Sequence, residues 1–183
     1  MGSVALALAV CAEAGVRIAF LHDNRDLLLG ADYAARCGMD LLPEECVIEI
    51  EGVATLLLHG DTLCTGDHAY QAFRRQARNP DWQASMLGQP LAVRRQFAAA
   101  ARAHSAHHVA MSAAAIMDVA PDAVAAAYAR HGVRRMIHGH THRPAVHTAA
   151  AANGPVERIV LGDWHVRGSV LHVDGEGLTL REF

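Results

Sequence analysis

The stretch that most constrains this chain runs from Val133 to Pro144: Val-Arg-Arg-Met-Ile-His-Gly-His-Thr-His-Arg-Pro. Its first part, Val133 to Ile137, reads as the end of a buried strand, and Gly139 and Pro144 punctuate the turn after it. In an extended segment residues two apart point the same way, so the pattern predicts that His140 and His142 aim two imidazoles at one point. Neutral imidazole is the commonest protein ligand for transition metals, and a short turn fixes both rings at small ordering cost. The ordinary alternative is a set of surface histidines in a chain that carries 13 of them.

Length and composition narrow the classes. At 183 residues the chain reads as one domain, numbered 1–183, long enough to bury a proper core. An apolar fraction of 52% and a net charge of −3 fit a soluble globular protein and give no basic excess that would suggest nucleic acid. All 16 basic residues are Arg, which excludes a Walker-A phosphate loop and a Schiff-base lysine. Cys11, Cys37, Cys46 and Cys64 form no CxxC pair and read as thiols of a reducing compartment. The apolar run Val4–Cys11 lacks a basic start and is too short to span a bilayer. It reads as a helix with Ser3 as N-cap and Gly15 at its stop, and secretion is not expected.

Along the chain, Val16–Leu21 reads as a buried strand with His22-Asp23-Asn24-Arg25-Asp26 as its polar exit. Ala31–Cys37 is a short helix stopped by Gly38. Val47–Ile50, the Glu51-Gly52 turn and Val53–Leu58 predict a hairpin whose second strand runs into His59-Gly60-Asp61. Residues 66–131 read as largely helical, broken at Pro80 and Pro90, with Pro121 opening the last helix. Val156–Leu161, Ser169–Val173 and Leu178–Arg181 read as short strands. The class is α/β, with polar clusters at the C-terminal ends of three apolar strands, where open sheets place their sites.

Those exits supply Asn24 with Arg25, His59 with Asp61, and His140 with His142. Together they make a mixed N/O donor set suited to Mn²⁺, Fe²⁺ or Zn²⁺. Taken singly, Asn24 is a turn residue, Asp61 a cap and His59 a core histidine. Asn24-Arg25-Asp26, His59-Gly60-Asp61 and Gly139-His140-Thr141-His142, in that order, resemble three signature blocks of the calcineurin-like metallophosphoesterases. The resemblance is closer to the UDP-2,3-diacylglucosamine diphosphatases of lipid A biosynthesis. It extends over His22–Gly30, Leu41–Glu45, His59–Thr65, Tyr70–Arg74, Ala115–Val119 and Ile137–His147, and so from about Gly15 to the C-terminus.

That resemblance implies a calcineurin-like sandwich of sheets flanked by helices, with a helical substrate-cap insert at about 66–131. It implies two Mn²⁺ ions, with Asn24, His59 and His140 at one and His142 at the other, and Arg25 steadying a pyrophosphate. Asn24, Arg25, His59 and His140 are then the catalytic set, and Asn24, Arg25, Asp67, Ser105 and His140 touch the substrate. The implied reaction splits UDP-2,3-diacylglucosamine into UMP and 2,3-diacylglucosamine 1-phosphate. The implied place is the cytoplasmic face of the bacterial inner membrane, with the insert's arginines and aromatics meeting lipid and no protein partner expected.

The chain departs from the family pattern in several places. The family's Asp-x-His and Gly-Asp-x-x-Asp blocks do not occur ahead of Asn24. The chain is therefore expected to be N-terminally shortened, to hold one ion rather than two, and to expose apolar sheet surface. Asp23 replaces a Gly and is a weak candidate for a substitute carboxylate, while Val109 and Ser112 replace an Asn and a Lys that contact substrate. A second reading follows, a remnant that binds metal or nucleotide-sugar without turnover.

Overall fold

The computed structural model describes residues 2–111, 118–151, 154–164 and 167–183. The Ala115-Ile116-Met117 part of one family-like block, and Ser112, lie outside the described residues, as does the side chain of Val109.

A tight turn joins the first two strands of the main sheet. Glu51 and Gly52 both take positive φ (51° and 74°), the backbone twist that joins two strands by a two-residue loop. They connect β3 (Glu45–Ile50) to β4 (Val53–Leu58) in antiparallel register, Ile50 opposite Val53. Next to β4 lies β5 (Arg135–His138), then β7 (Gly154–Val160) and β6 (Ala145–Ala151). β4, β5 and β7 are mutually parallel, so their C-terminal ends open at one edge, and β3 and β6 flank them antiparallel.

The connection from β4 to β5 is helical. After a single 3-10 turn (Asp61–Leu63) come α3 (His68–Ala77), α4 (Pro80–Leu87), α5 (Leu91–Met111) and α6 (Pro121–His131). Here α1 is Ser3–Glu13 and α2 is Ala31–Cys37. Pro80 and Pro121 stand at first helical positions, where a missing N–H costs nothing. α6 lays Ala127 and Tyr128 over Leu56, Leu58, Leu63, Val133 and Met136, and this is the larger core. The Tyr128 hydroxyl donates to the Glu157 carbonyl at 2.7 Å, so its polar tip is satisfied inside. Truncating Leu56 or Met136, both fully buried, to Ala costs about 2–5 kcal/mol.

A second, smaller core lies apart from this one. β1 (Ile18–Phe20) and β2 (Met39–Leu41) form their own parallel pair. Ala5 of α1 and Ala34 and Cys37 of α2 pack over Met39. Val47 and Ile48 of β3 stand exposed on the sheet, where apolar surface was expected, and Val4, Leu6 and Val10 of the helix α1 are exposed as well. The hairpin β8 (Ser169–Asp174)–β9 (Gly177–Glu182) completes the fold. The class is thus α/β, a mixed sheet flanked by helices.

Three local expectations are corrected. Gly2, not Ser3, caps α1, and no side chain bonds to that end. The strand β2 was not expected, because three residues carry too little periodicity to read. Nor was β6, whose alanines resist strand propensity and which exists through its full-length pairing with β7.

Candidate functional site

The parallel ends of β4 and β5 are braced against each other by glycine. Gly60 has φ 107°, a conformation open to glycine, and a Cβ there would stand 2.6 Å from His138 Nδ1 and 3.2 Å from the Gly139 carbonyl. The Gly139 N–H donates to the His59 carbonyl at 2.9 Å, so the two exits are stitched backbone to backbone. In consequence the rings of His59 and His140 meet edge to face, with Nε2 of one 3.0 Å from Nδ1 of the other.

The turn itself differs from the sequence expectation. His140 (φ 65°) and His142 (φ 53°) are both left-handed, not extended, and the Thr141 N–H closes on the Gly139 carbonyl at 2.8 Å. The two imidazoles therefore do not lie side by side as an extended segment requires. His140 sits deep against His59, while His142 stands at the rim with Nδ1 3.4 Å from Asp163 Oδ2. Both still face one cavity of about 750 Å³, along with Asn24, Arg25, His59, Asp67 and Ser105. The seven residues that the resemblance assigns to the site thus line a single space, with Asn24 half-buried and Arg25 exposed, while Asp61 does not line it.

Burial sets the electrostatics. It holds His59 below the ordinary imidazole pKa and, with His59 beside it, takes His140 down to about 4. Both rings are neutral near pH 7, the state in which imidazole binds a metal. His138, under the same burial, is also lowered to about 4. Its Nδ1 donates to the Gly139 carbonyl (2.9 Å) and its Nε2 accepts from Arg158 (3.0 Å).

Asp61 lies buried beneath the pair. Burial alone raises a carboxyl, but the interactions with the His59 ring, the Arg74 guanidinium and the Tyr70 hydroxyl outweigh it, and the group stays below its usual range. Tyr70 donates to Asp61 Oδ2 at 2.9 Å and Arg74 Nε does the same at 2.9 Å. Arg74 continues to Glu44 (2.6 Å), which also meets Arg78 (3.1 Å). Arg78 in turn donates to the carbonyls of His22 and Asp23, holding the Asn24-Arg25 turn against α3. The Asp23 carboxylate caps that turn by accepting the Arg25 N–H, which commits it locally and leaves the substitute-ligand idea without support. Burial pushes the Cys64 thiol up to about 12, so it offers no thiolate at neutral pH.

Tyr70, Arg74, Arg78, His108, Asp163 and Trp164 were not singled out as site residues from the sequence. Tyr70 and Arg74 sit at i, i+4 on α3, a spacing that shares a face. Asp163 follows the parallel strand β7, so the strand-exit rule that found the others applies to it equally. Arg78 carries no such signal, because its targets are backbone carbonyls 55 and 56 residues away.

The nitrogens of His59 and His140 are the convergent pair a metal ion could meet. Two cis ligands at about 2.1 Å from an ion lie about 3.0 Å apart, the separation of the His59 and His140 nitrogens. Among the described residues no three His, Cys, Asp or Glu side chains gather closely enough to hold a metal. The two-ion arrangement implied by the resemblance is therefore not assembled by those residues.

No protein-family model matches the chain. Individual curated proteins do. The chain is 50% identical to a UDP-2,3-diacylglucosamine hydrolase of Xanthomonas oryzae pv. oryzae, over 99% of this chain and 76% of the relative. It is 53% identical to the protein of that name from Cellvibrio japonicus (93% and 71%) and 50% identical to that from Serratia proteamaculans (100% and 76%). At half identity over nearly its whole length, an α/β chain whose strand exits meet in one cavity has its family decided. The chain belongs to the UDP-2,3-diacylglucosamine hydrolase family.

Proposed function

We propose that this chain hydrolyses the pyrophosphate bond of UDP-2,3-diacylglucosamine, releasing UMP and 2,3-diacylglucosamine 1-phosphate, on a calcineurin-like metallophosphoesterase fold. The observation that carries the reading is the single cavity at which Asn24, Arg25, His59 and His140 meet, in a chain half identical to hydrolases named for that substrate. His59 and His140, with Asn24, would hold one Mn²⁺-type ion, which when bound polarises a phosphoryl oxygen and acidifies water. The chain's own contribution is placement. The β4–β5 stitch keeps the imidazole nitrogens convergent, and the buried Asp61 nearby is held by Tyr70 and Arg74. Arg25 steadies the pyrophosphate by paired N–H contacts, and Asp67 and Ser105 take the nucleotide-sugar. His142, paired with Asp163, guards the rim.

The relatives' names favour turnover over the binding-only reading. One assay decides: load the protein with Mn²⁺, count bound metal, and follow UMP release from the acylated UDP-sugar. His59→Ala and His140→Ala should each remove bound metal and lower turnover at least a hundredfold. Stoichiometric metal without UMP release would instead establish the binding-only reading.

The same proposal places the protein on the cytoplasmic face of the inner membrane. No helix among the described residues is long and apolar enough to cross a membrane. Leu87, Leu91, Val93 and Phe97 are exposed at the junction of α4 and α5. Arg94 and Arg95 stand in the same stretch, a mixture suited to an anionic lipid surface. Sedimentation with phosphatidylglycerol vesicles, reduced by Leu91→Glu, tests it. Unchanged sedimentation of that variant would refute this contact.

A further inference from the structure

A second cavity, of about 690 Å³, lies between α6 and the β6–β7 end of the main sheet. It shares no lining residue with the cavity that holds His59 and His140. Alternate residues of a strand share a face, and β6 offers His147, Ala149 and Ala151 to this one. Opposite them on β7 stand Arg158, Val156 and Gly154. Val124, Ala125 and Ala129 of α6 form the facing wall. Methyl groups and a bare glycine leave a trough where larger side chains would close the gap between sheet and helix. From Gly154 to Arg158 its floor runs about 13 Å along the strand.

The charges on this trough are of one sign. Arg134 lies near Gly154 and Arg158 faces His147, and no Asp or Glu lines the cavity among the described residues. Arg134 is exposed, so water screens it, whereas Arg158 is half-buried. Arg158 and His147 stand directly across the strand pair, an unfavourable arrangement when both are cationic. Burial and the Arg158 charge accordingly hold His147 below the ordinary imidazole range. Asp118 acts the other way, but it is already paired with Arg143 at 2.6 Å. One Arg158 N–H goes to His138, and the rest of its guanidinium fork is left for a ligand.

We propose that this groove is a second ligand site, taking a free fatty acid whose carboxylate lies between Arg158 and His147. The tail runs along Ala149, Ala151 and Val156, where it leaves water against apolar side chains. A guanidinium gives a carboxylate paired N–H bonds, and the anion separates two groups that otherwise repel. The site is independent of the hydrolase reading, because none of its residues belongs to the first cavity.

Calorimetric titration of the full chain with decanoate at pH 7 tests it. Decanoate should bind in a one-to-one ratio, and octanoate, shorter by two methylenes, about tenfold more weakly. Decyltrimethylammonium, with an equal tail and the opposite charge, should bind at least about tenfold more weakly than decanoate. His147→Glu sets a carboxylate opposite Arg158, a cross-strand pair that supports the fold, and should weaken decanoate at least about tenfold. Ala149→Phe fills the trough and should do the same, while Val146→Phe, on the other face of β6, should leave binding unchanged. No decanoate binding, binding that survives both His147→Glu and Ala149→Phe, or equal binding of the cationic amphiphile would overturn the proposal. A dimer in sedimentation that Ala149→Phe dissociates, with no decanoate bound, would put a second copy of the chain in the groove instead.

Discussion

The cavity is mounted on two different supports. The β4 and β5 exits belong to the five-stranded sheet, and each holds the other: Gly139 to the His59 carbonyl, Gly60 against His138, His59 against His140. The β1 exit, carrying Asn24 and Arg25, belongs to a separate two-stranded pair with its own small core. It reaches the rest through Arg78 and the backbone carbonyls of His22 and Asp23. Among the described hydrogen bonds, the first support is built from backbone and buried rings, the second from the Arg78 side chain. A site divided this way keeps the imidazole geometry fixed while the pyrophosphate-binding turn depends on a contact that a single substitution removes.

The largest test breaks the first support. Gly60→Val sets a branched side chain against His138 and the Gly139 carbonyl at a φ that side chains avoid, and should cost about 4 kcal/mol of stability. Denaturant midpoints read it, and bound Mn²⁺ should vanish even under conditions where the variant is folded. Gly30→Ala, in open space at φ −105°, is the control and should change stability by at most about 0.5 kcal/mol. Similar losses at both positions would show that the stitch between the exits has no special weight.

Much of this arrangement was legible in the letters, and the unread part has a physical cause. Apolar runs ending in polar residues marked the β4 and β5 exits, since a buried strand must surface somewhere and turn chemistry declares where. The Glu51-Gly52 turn fixed the hairpin register for the same local reason. What was not legible depends on long-range partners. β6 is a strand because β7 lies beside it, and Arg78 matters because two carbonyls far away in sequence arrive beneath it. The left-handed backbone at His140 and His142 was misread because the spacing of two histidines is equally compatible with an extended segment and with two turns.

The second test is by pH, again on the braced exits. His138 titrates at about 4 when folded and near 6.5 when unfolded. Between those values the unfolded chain binds a proton that the folded ring refuses, so stability rises with pH across about 4 to 6.5 and is level above. For metal-free protein the loss on acidification from pH 6.5 to 4 should be about 3 kcal/mol from this residue. His138→Asn should be less stable at pH 7 and show a shallower fall. An unchanged slope in the variant would assign the acid sensitivity elsewhere.

The second support should break more gently. Arg78→Ala removes the donor to the His22 and Asp23 carbonyls and should weaken UMP binding by about 1–2 kcal/mol, roughly five- to thirtyfold. Metal at His59 and His140 should stay, because none of their braces involves Arg78. Metal loss in Arg78→Ala would contradict the division of the site into two supports.

The smallest effect probes where the supports touch. Tyr70 donates to the buried Asp61 while its N–H is capped by Asp67, which lines the cavity. Tyr70→Phe keeps the ring against His140 and removes only the hydroxyl, and Arg74 still pairs with Asp61 at 2.9 Å. The buried carboxylate loses one of two side-chain donors, so stability should fall by about 1 kcal/mol. Bound Mn²⁺ should remain stoichiometric and KM should hold within about twofold, because Asp61 keeps its charge and its Arg74 partner. A tenfold change in KM from this one hydroxyl would mean Asp61 and the cavity-lining Asp67 move as a unit, and that the two supports are energetically one.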